Sequence, residues 1–361
     1  MNDHPCRNHT PRRRWTFRVI VILTLCLGWW SVMPGRAGQS DTPRSAHPAF
    51  RVAFSSNLFT EINVNDARAA VKVWAETVAK EHDILCDPNP QILEGTESII
   101  QALQNREADA VSILFNEYWR LRQQVKLGNI FVGLINGALT EEYVLLVHQE
   151  SGIQNLPDLR GGKLVLFENP RMCLALPWLD LLLNDKALGR AAEFFGNQER
   201  IKKLSPAVLR VFFRQADAGV VTRSGYKTLM ELNPQLGKQL RVLASPPAVV
   251  PVVMCFPEDY ASPQKEQIFS ALEELQKTPA GTQVLTMFKC DKLVQTSTAS
   301  LDASLELLSK HEGLTAQRRI SEAAKMNPNR EGKGESVKKN EQTNPSWKTG
   351  RGVSQDEISK E

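Results

Sequence analysis

From residue 50 to residue 257 short β-branched and apolar runs alternate with stretches of helical periodicity. That alternation restricts the chain to an α/β fold with mostly parallel strands, because each helix must carry the chain back across a sheet face before the next strand begins. Strands are predicted over 50–55, 109–115, 129–135, 142–148, 163–167, 218–222, 240–244 and 250–255, with a weaker one over 83–86. Between them the apolar spacing predicts helices over 66–80, 96–105, 176–184 and 205–215. Two further helices follow, over 262–277 and 302–311.

The two ends differ from this body. A basic stretch ending in Arg12-Arg13-Arg14 precedes an apolar run over 19–33 and the small-residue segment Pro34-Gly-Arg-Ala-Gly38. The order basic, apolar, small reads 1–38 as a secretory signal peptide, with Gly35 and Ala37 ahead of a cut before Gly38. The apolar run falls short of the roughly 20 residues that span a bilayer. An uncleaved anchor is the alternative. From about residue 315 to 361 the chain is rich in Lys, Glu, Asn, Ser and Gly, and reads as a disordered tail. Six Arg against one Asp in 1–38, and ten Lys/Arg against seven Asp/Glu in 315–361, give the two ends a charge of +8, so the net charge of +4 leaves −4 for the rest. The part between is slightly acidic, so no basic nucleic-acid footprint is expected.

Catalytic and metal signatures are missing. No Gly-x-Ser-x-Gly elbow occurs, no Gly-x-Gly-x-x-Gly follows the first strand, and His4, His9, His47, His82, His148 and His311 include no pair at helical metal-site spacing. Gly332-Lys-Gly-Glu-Ser336 follows no strand and does not end as a phosphate loop does. Glu141-Glu142 at a strand edge and Glu273-Glu274 on a helix read as solvated charge. After removal of 1–38, Cys86, Cys173, Cys255 and Cys290 remain, without a Cys-x-x-Cys, and their three pairings stay open beside the reading of small buried side chains. Neither an enzyme, a metal nor a cofactor is expected.

Five segments in order carry a resemblance. The first strand and its loop lead into Ala67-Arg-Ala-Ala-Val-Lys-Val-Trp. Glu94-Gly-Thr-Glu-Ser-Ile-Ile-Gln-Ala-Leu-Gln-Asn-Arg-Glu-Ala-Asp109 is a helix whose turn ends in Asp before a strand. That element is reused at Val208-Leu-Arg-Val-Phe-Phe-Arg-Gln-Ala-Asp217. Ser151-Gly-Ile-Gln-Asn-Leu-Pro-Asp-Leu-Arg-Gly-Gly-Lys-Leu-Val-Leu-Phe167 and Leu243-Ala-Ser-Pro-Pro-Ala-Val-Val-Pro-Val-Val complete the series. Over about 50–288 this order resembles the phosphate/phosphite/phosphonate family of periplasmic solute-binding proteins of ABC transporters.

The resemblance implies a two-lobed type II periplasmic-binding-protein fold, with mostly parallel sheets joined by crossing strands. Its parts would be 39–140 as the first part of lobe one, 141–242 as lobe two, and 243–314 as the return to lobe one with C-terminal helices. It implies a monomer in the periplasm that captures a small anion, such as phosphate or a phosphonate, and hands it to an ABC permease in the inner membrane. A sensory or scaffold protein using the same fold without transport is the alternative. The ligand loops correspond to Ser55, Ser56, Asn57, Thr96, Asn116 and Tyr118 in lobe one, and to Asn169, Arg171, Cys173, Thr222, Arg223 and Tyr226 in lobe two. Arg171 and Arg223 would form a bidentate oxyanion clamp. Two departures stand out: Pro170-Arg-Met-Cys-Leu-Ala replaces the usual Ser/Thr cluster, and Thr222-Arg223 offers no carboxylate to an amine, so an aminoalkyl phosphonate is not expected.

Overall fold

A computed structural model describes residues 49–60, 63–87 and 89–326. The segment read as a signal peptide and everything beyond Met326 lie outside the described residues. Among the described residues the strands are β1 (Val52–Ser55), β2 (Gln91–Leu93), β3 (Ala110–Leu114), β4 (Leu127–Leu134), β5 (Tyr143–His148), β6 (Lys163–Phe167), β7 (Asn197–Ile201), β8 (Ala218–Thr222), β9 (Leu240–Ala244), β10 (Val252–Pro257) and β11 (Lys292–Thr296). The α-helices are α1 (Val64–His82), α2 (Gly95–Gln104), α3 (Phe115–Leu121), α4 (Ala175–Asn184), α5 (Ala191–Phe194), α6 (Leu204–Phe212), α7 (Arg223–Leu232), α8 (Gln235–Gln239), α9 (Lys265–Glu273), α10 (Pro279–Met287) and α11 (Asp302–Met326).

Two sheets result, ordered β11-β4-β10-β3-β1-β2 and β7-β6-β8-β5-β9. In the first, β1 runs parallel to β2 and β3, and β10 lies antiparallel between β3 and β4. In the second, β6 runs parallel to β7 and β8, and β5 lies antiparallel between β8 and β9. The central strands carry apolar side chains to both faces, as strands covered on two sides must. Val52 and Phe54 pack with Phe131, Met254, Phe256 and Phe269. Ala53, one step out of phase, joins the cluster of Ile99, Ile100 and Leu103 from α2.

The reused sequence element has a structural cause. Asp109, ahead of β3, accepts the backbone N–H of Arg51 at 2.8 Å, and Asp217, ahead of β8, accepts that of Lys163 at 2.7 Å. Each aspartate therefore caps the start of the neighbouring parallel strand, β1 or β6. Three residues upstream, Arg106 and Arg214 hold φ of 55° and 57°, the left-handed turn that ends the preceding helix.

Two segments cross between the sheets, one from β4 to β5 and one from β9 to β10. They pair at Glu141 and Val249, which exchange backbone hydrogen bonds of 2.7 and 2.9 Å. The last helix bears on this junction: Ser304, 1% exposed, accepts from the Val250 N–H at 2.7 Å and donates back to the Val250 carbonyl at 3.2 Å. Predicted over 302–311, that helix continues to Met326, into the stretch read from composition as disordered. Its further contacts hold both sheets' helices. Trp119 of α3 donates to Glu312 at 3.0 Å, His311 lies 3.2 Å from Asp180 of α4, and Arg318 pairs with Glu193 of α5.

Candidate functional site

Residues at or just past the carboxyl ends of β1, β3 and β6, namely Asn57, Leu114 and Phe167, line one cavity, the usual ligand position in α/β folds. In the first sheet Ser55 ends β1 and Asn57 sits in the turn Ser56–Phe59. Their polar groups converge on Glu117 of α3, 4% exposed. Ser55 Oγ donates to Glu117 Oε1 at 2.7 Å, Asn57 Nδ2 donates to the same oxygen at 2.8 Å, and the Leu114 N–H donates to Oε2 at 2.9 Å. A carboxylate of the chain itself thus takes donors that the sequence reading reserved for a ligand. Ser56 is half-buried in the same turn.

In the second sheet the pattern repeats. Glu141, 3% exposed, pairs with Arg171 Nη2 and accepts from Ser224 Oγ at 2.9 and 3.0 Å. Arg223 Nε pairs with Glu142, and its backbone N–H donates to the Glu142 carbonyl at 2.7 Å. Both arginines expected to clamp an oxyanion therefore already hold a carboxylate. Glu141, read from sequence as solvated charge, is instead buried at the hinge, because the crossing segments enclose it and Arg171 and Ser224 satisfy it.

The remaining predicted positions separate into lining and packing. Asn57, Asn116, Asn169 and Cys173 line one cavity of about 760 Å³ between the sheets. Asn169 and Arg171 border a second, of about 240 Å³. Tyr118, 4% exposed, packs its ring at a tilt against Phe115 with centroids 5.2 Å apart, and burial pushes its phenol above the ordinary value. Tyr226 is buried and donates to the Leu236 carbonyl at 3.3 Å, again with its phenol pushed up by burial. Thr222 Oγ1 accepts from the Gly225 N–H at 3.2 Å and caps α7. Thr96, in the first turn of α2, borders neither cavity. The Cys173 thiol donates to the Pro251 carbonyl at 3.2 Å, and burial pushes it up to about 12. Cys86, Cys173, Cys255 and Cys290 are all free thiols, so none of the three pairings left open by the sequence forms.

The larger cavity has walls that sequence reasoning missed. Arg120, Arg200 and Arg319 line it, none with an ion-pair partner among the described residues, together with His311 and the acidic Glu168 and Glu312. Arg319 and His311 come from α11, whose extension past His311 no composition argument anticipates. Among the described residues no group of His, Cys, Asp and Glu could hold a metal ion, and no helix is long and apolar enough to cross a membrane.

A comparison with curated protein sequences finds no match. Among solved structures, XAC2383 from Xanthomonas citri superposes in a form bound to ATP with a TM-score of 0.55 at 15% identity, covering 74% of this chain and 99% of that one. Its chloride-bound form gives 0.54 at 16%, with the same coverage. PhnD1 from Prochlorococcus marinus in complex with methylphosphonate gives 0.50 at 12%, covering 73% and 98%. At such identities these likenesses establish the fold, the two-lobed type II architecture expected from the sequence. The family profile described as "ABC transporter, phosphonate, periplasmic substrate-binding protein" matches residues 65–301. Proteins of that family bind small solutes in the periplasm and work with a permease, and the chain described here belongs to it.

Proposed function

We propose that this protein captures a small organic or phosphorus oxyanion in the cavity between its lobes and presents it to the permease of an ABC importer. The observation that carries the reading is the trio Arg120, Arg200 and Arg319. They converge from both lobes and from α11 on a cavity of about 760 Å³ with no ion-pair partner among the described residues, whereas Arg171 and Arg223 are neutralised by Glu141 and Glu142. Asn116 adds an amide group on the same walls, beside Asn57 and Asn169, which also hold Glu117 and the Arg171 N–H. Lobe closure about the hinge at Glu141 and Val249 would strip water from the anion and strengthen these contacts.

The test is a thermal-shift and calorimetric survey of the full chain against phosphate, phosphite, sulfate, methylphosphonate and small carboxylates. A ligand at 100 times its Kd adds about 2.7 kcal/mol of stability. Binding by at least one of these anions, weakened tenfold or more in Arg120→Ala, Arg200→Ala or Arg319→Ala, supports the reading. A flat response to every anion overturns it.

One observation favours a second reading, in which binding is sensed and not coupled to transport. Helix α11 is tied to α3 through Trp119–Glu312 and to α4 through His311–Asp180. One of these ties must yield before the lobes part and release a ligand. Permease-dependent uptake of the ligand in vesicles separates the two readings.

A further inference from the structure

A second cavity, of about 240 Å³, lies against the first sheet next to the inter-lobe cavity, and Asn169, Pro170 and Arg171 of the second lobe close one side of it. One wall is a single row across the first sheet: Phe54 pairs with Ser112, Ser112 with Met254, and Met254 with Phe131, so all four share one face. The opposite wall is the turn carrying Leu58 and Phe59 together with Val284, Leu285 and Met287 of α10. Thr60, Asn169 and Pro170 border both cavities, so the apolar chamber opens onto the cleft.

Three features point to an occupant. Protein interiors pack close to crystal density and keep few voids larger than a water molecule. This chamber exceeds the roughly 150 Å³ that suffices for benzene in an engineered apolar cavity. Its lining includes Lys289 and Arg171, whose Nη2 is paired with Glu141 behind the wall, and no acidic residue. At the mouth, Arg171 Nε and Thr60 Oγ1 are buried with no hydrogen-bond partner among the described residues. Nε can only donate, so it demands an acceptor, and an unmet buried donor is costly.

We propose that the chamber holds the apolar group of an amphiphilic oxyanion, an aliphatic or aromatic carboxylate or phosphonate, whose charged head sits at the junction and accepts from Arg171 Nε and Thr60 Oγ1. This narrows the substrate class of the cleft and rests on the reading of the protein as an anion binder.

Calorimetry on the full chain with acetate, hexanoate, octanoate and octanol tests it. Affinity is expected to rise along the carboxylate series by about fourfold per methylene that enters the chamber, the fold equivalent of its transfer free energy. Octanol is expected to bind at least tenfold more weakly than octanoate. Thr60→Val is expected to weaken octanoate several-fold. Val284→Phe, or Ser112→Leu on the facing wall should the first fail to fold, fills the chamber and is expected to abolish the gain from chain length while leaving acetate binding unchanged. Equal binding of acetate and octanoate overturns the proposal and leaves the anion-binding reading standing. Equal binding of octanol and octanoate overturns the role of the charged head, and undiminished octanoate binding by a folded filled variant overturns the location.

Discussion

Glu141 and Arg171 close an ion pair between the segment that crosses from the first lobe and the loop that follows β6 in the second. The glutamate side chain is 3% exposed and the arginine 18%, so the pair works largely out of water, and Ser224 supplies the carboxylate's other hydrogen bonds. Removing one partner of such a pair strands a buried charge, which costs about 3–5 kcal/mol. Arg171→Ala is therefore expected to lower the unfolding free energy extrapolated from urea denaturation by an amount in that range. The double variant Arg171→Leu/Glu141→Leu, which leaves no charge behind, is expected to recover most of the loss. Equal destabilisation in the single and double variants would show that the stranded Glu141 charge is not the source of the loss.

The four free thiols give a second expectation. Burial is the leading cause that pushes Cys86 and Cys173 up to about 12 and Cys290 up to about 11, and it raises Cys255 too. The thiolate is the reactive form, and at pH 8 its fraction at Cys290 is on the order of one in a thousand. Peptide mapping after iodoacetamide treatment of the native chain is expected to find these four positions unmodified after minutes, and all four modified once guanidinium has unfolded the chain. Rapid native labelling of Cys173 would contradict the raised thiol described for it.

Much of this fold was legible in the sequence where strands are covered on both faces. The predicted runs at 163–167, 218–222 and 240–244 match β6, β8 and β9 residue for residue, and β1, β3, β4, β5 and β10 differ only at their ends. The strands missed, β2, β7 and β11, all stand at sheet edges. Their residues, Asn197-Gln-Glu-Arg-Ile in β7 for example, need no apolar side chains on two faces and leave no hydrophobic run to find. The weak strand expected at 83–86 reduces to one bridge between Cys86 and Phe50. For the site, sequence located the loops at the strand ends but not what their donors do. Ser55 meets Glu117 across 62 positions and Arg171 meets Glu141 across 30. Such pairings follow from topology and carry no local signature, so donors expected to face a ligand face internal carboxylates.

Gly281 sits in the first turn of α10, the helix that walls the apolar chamber. A Cβ built there would lie 2.0 Å from the Leu275 carbonyl oxygen. Because that neighbour is backbone, relief requires the helix to shift, and overpacking of this kind costs about 1–3 kcal/mol. Gly281→Ala is expected to lower Tm by several degrees and, by moving Val284 and Leu285, to weaken octanoate more than acetate. A variant with the parent Tm would show that α10 is free to adjust.

The strap formed by α11 carries a pH dependence through Asp180. Burial acts to raise this carboxyl, but the hydrogen bonds from His311 and from the Ala191 N–H, with the charge of Arg190, outweigh it and hold it below the ordinary range. A carboxyl depressed on folding stabilises the native state fully above its unfolded value of about 3.9, and that contribution is lost as pH falls through the lower folded value. In Asp180→Asn the linked loss is absent, while the amide oxygen still accepts a hydrogen bond from His311. Between pH 5 and pH 2 the urea midpoint of the parent chain is therefore expected to fall more steeply than that of the variant. Hydrogen exchange in α11 is expected to accelerate over the same interval in the parent, because protonated Asp180 no longer anchors the helix to α4. Parallel midpoint profiles for the two chains would remove Asp180 from the acid response and with it the electrostatic tie between α11 and the second lobe.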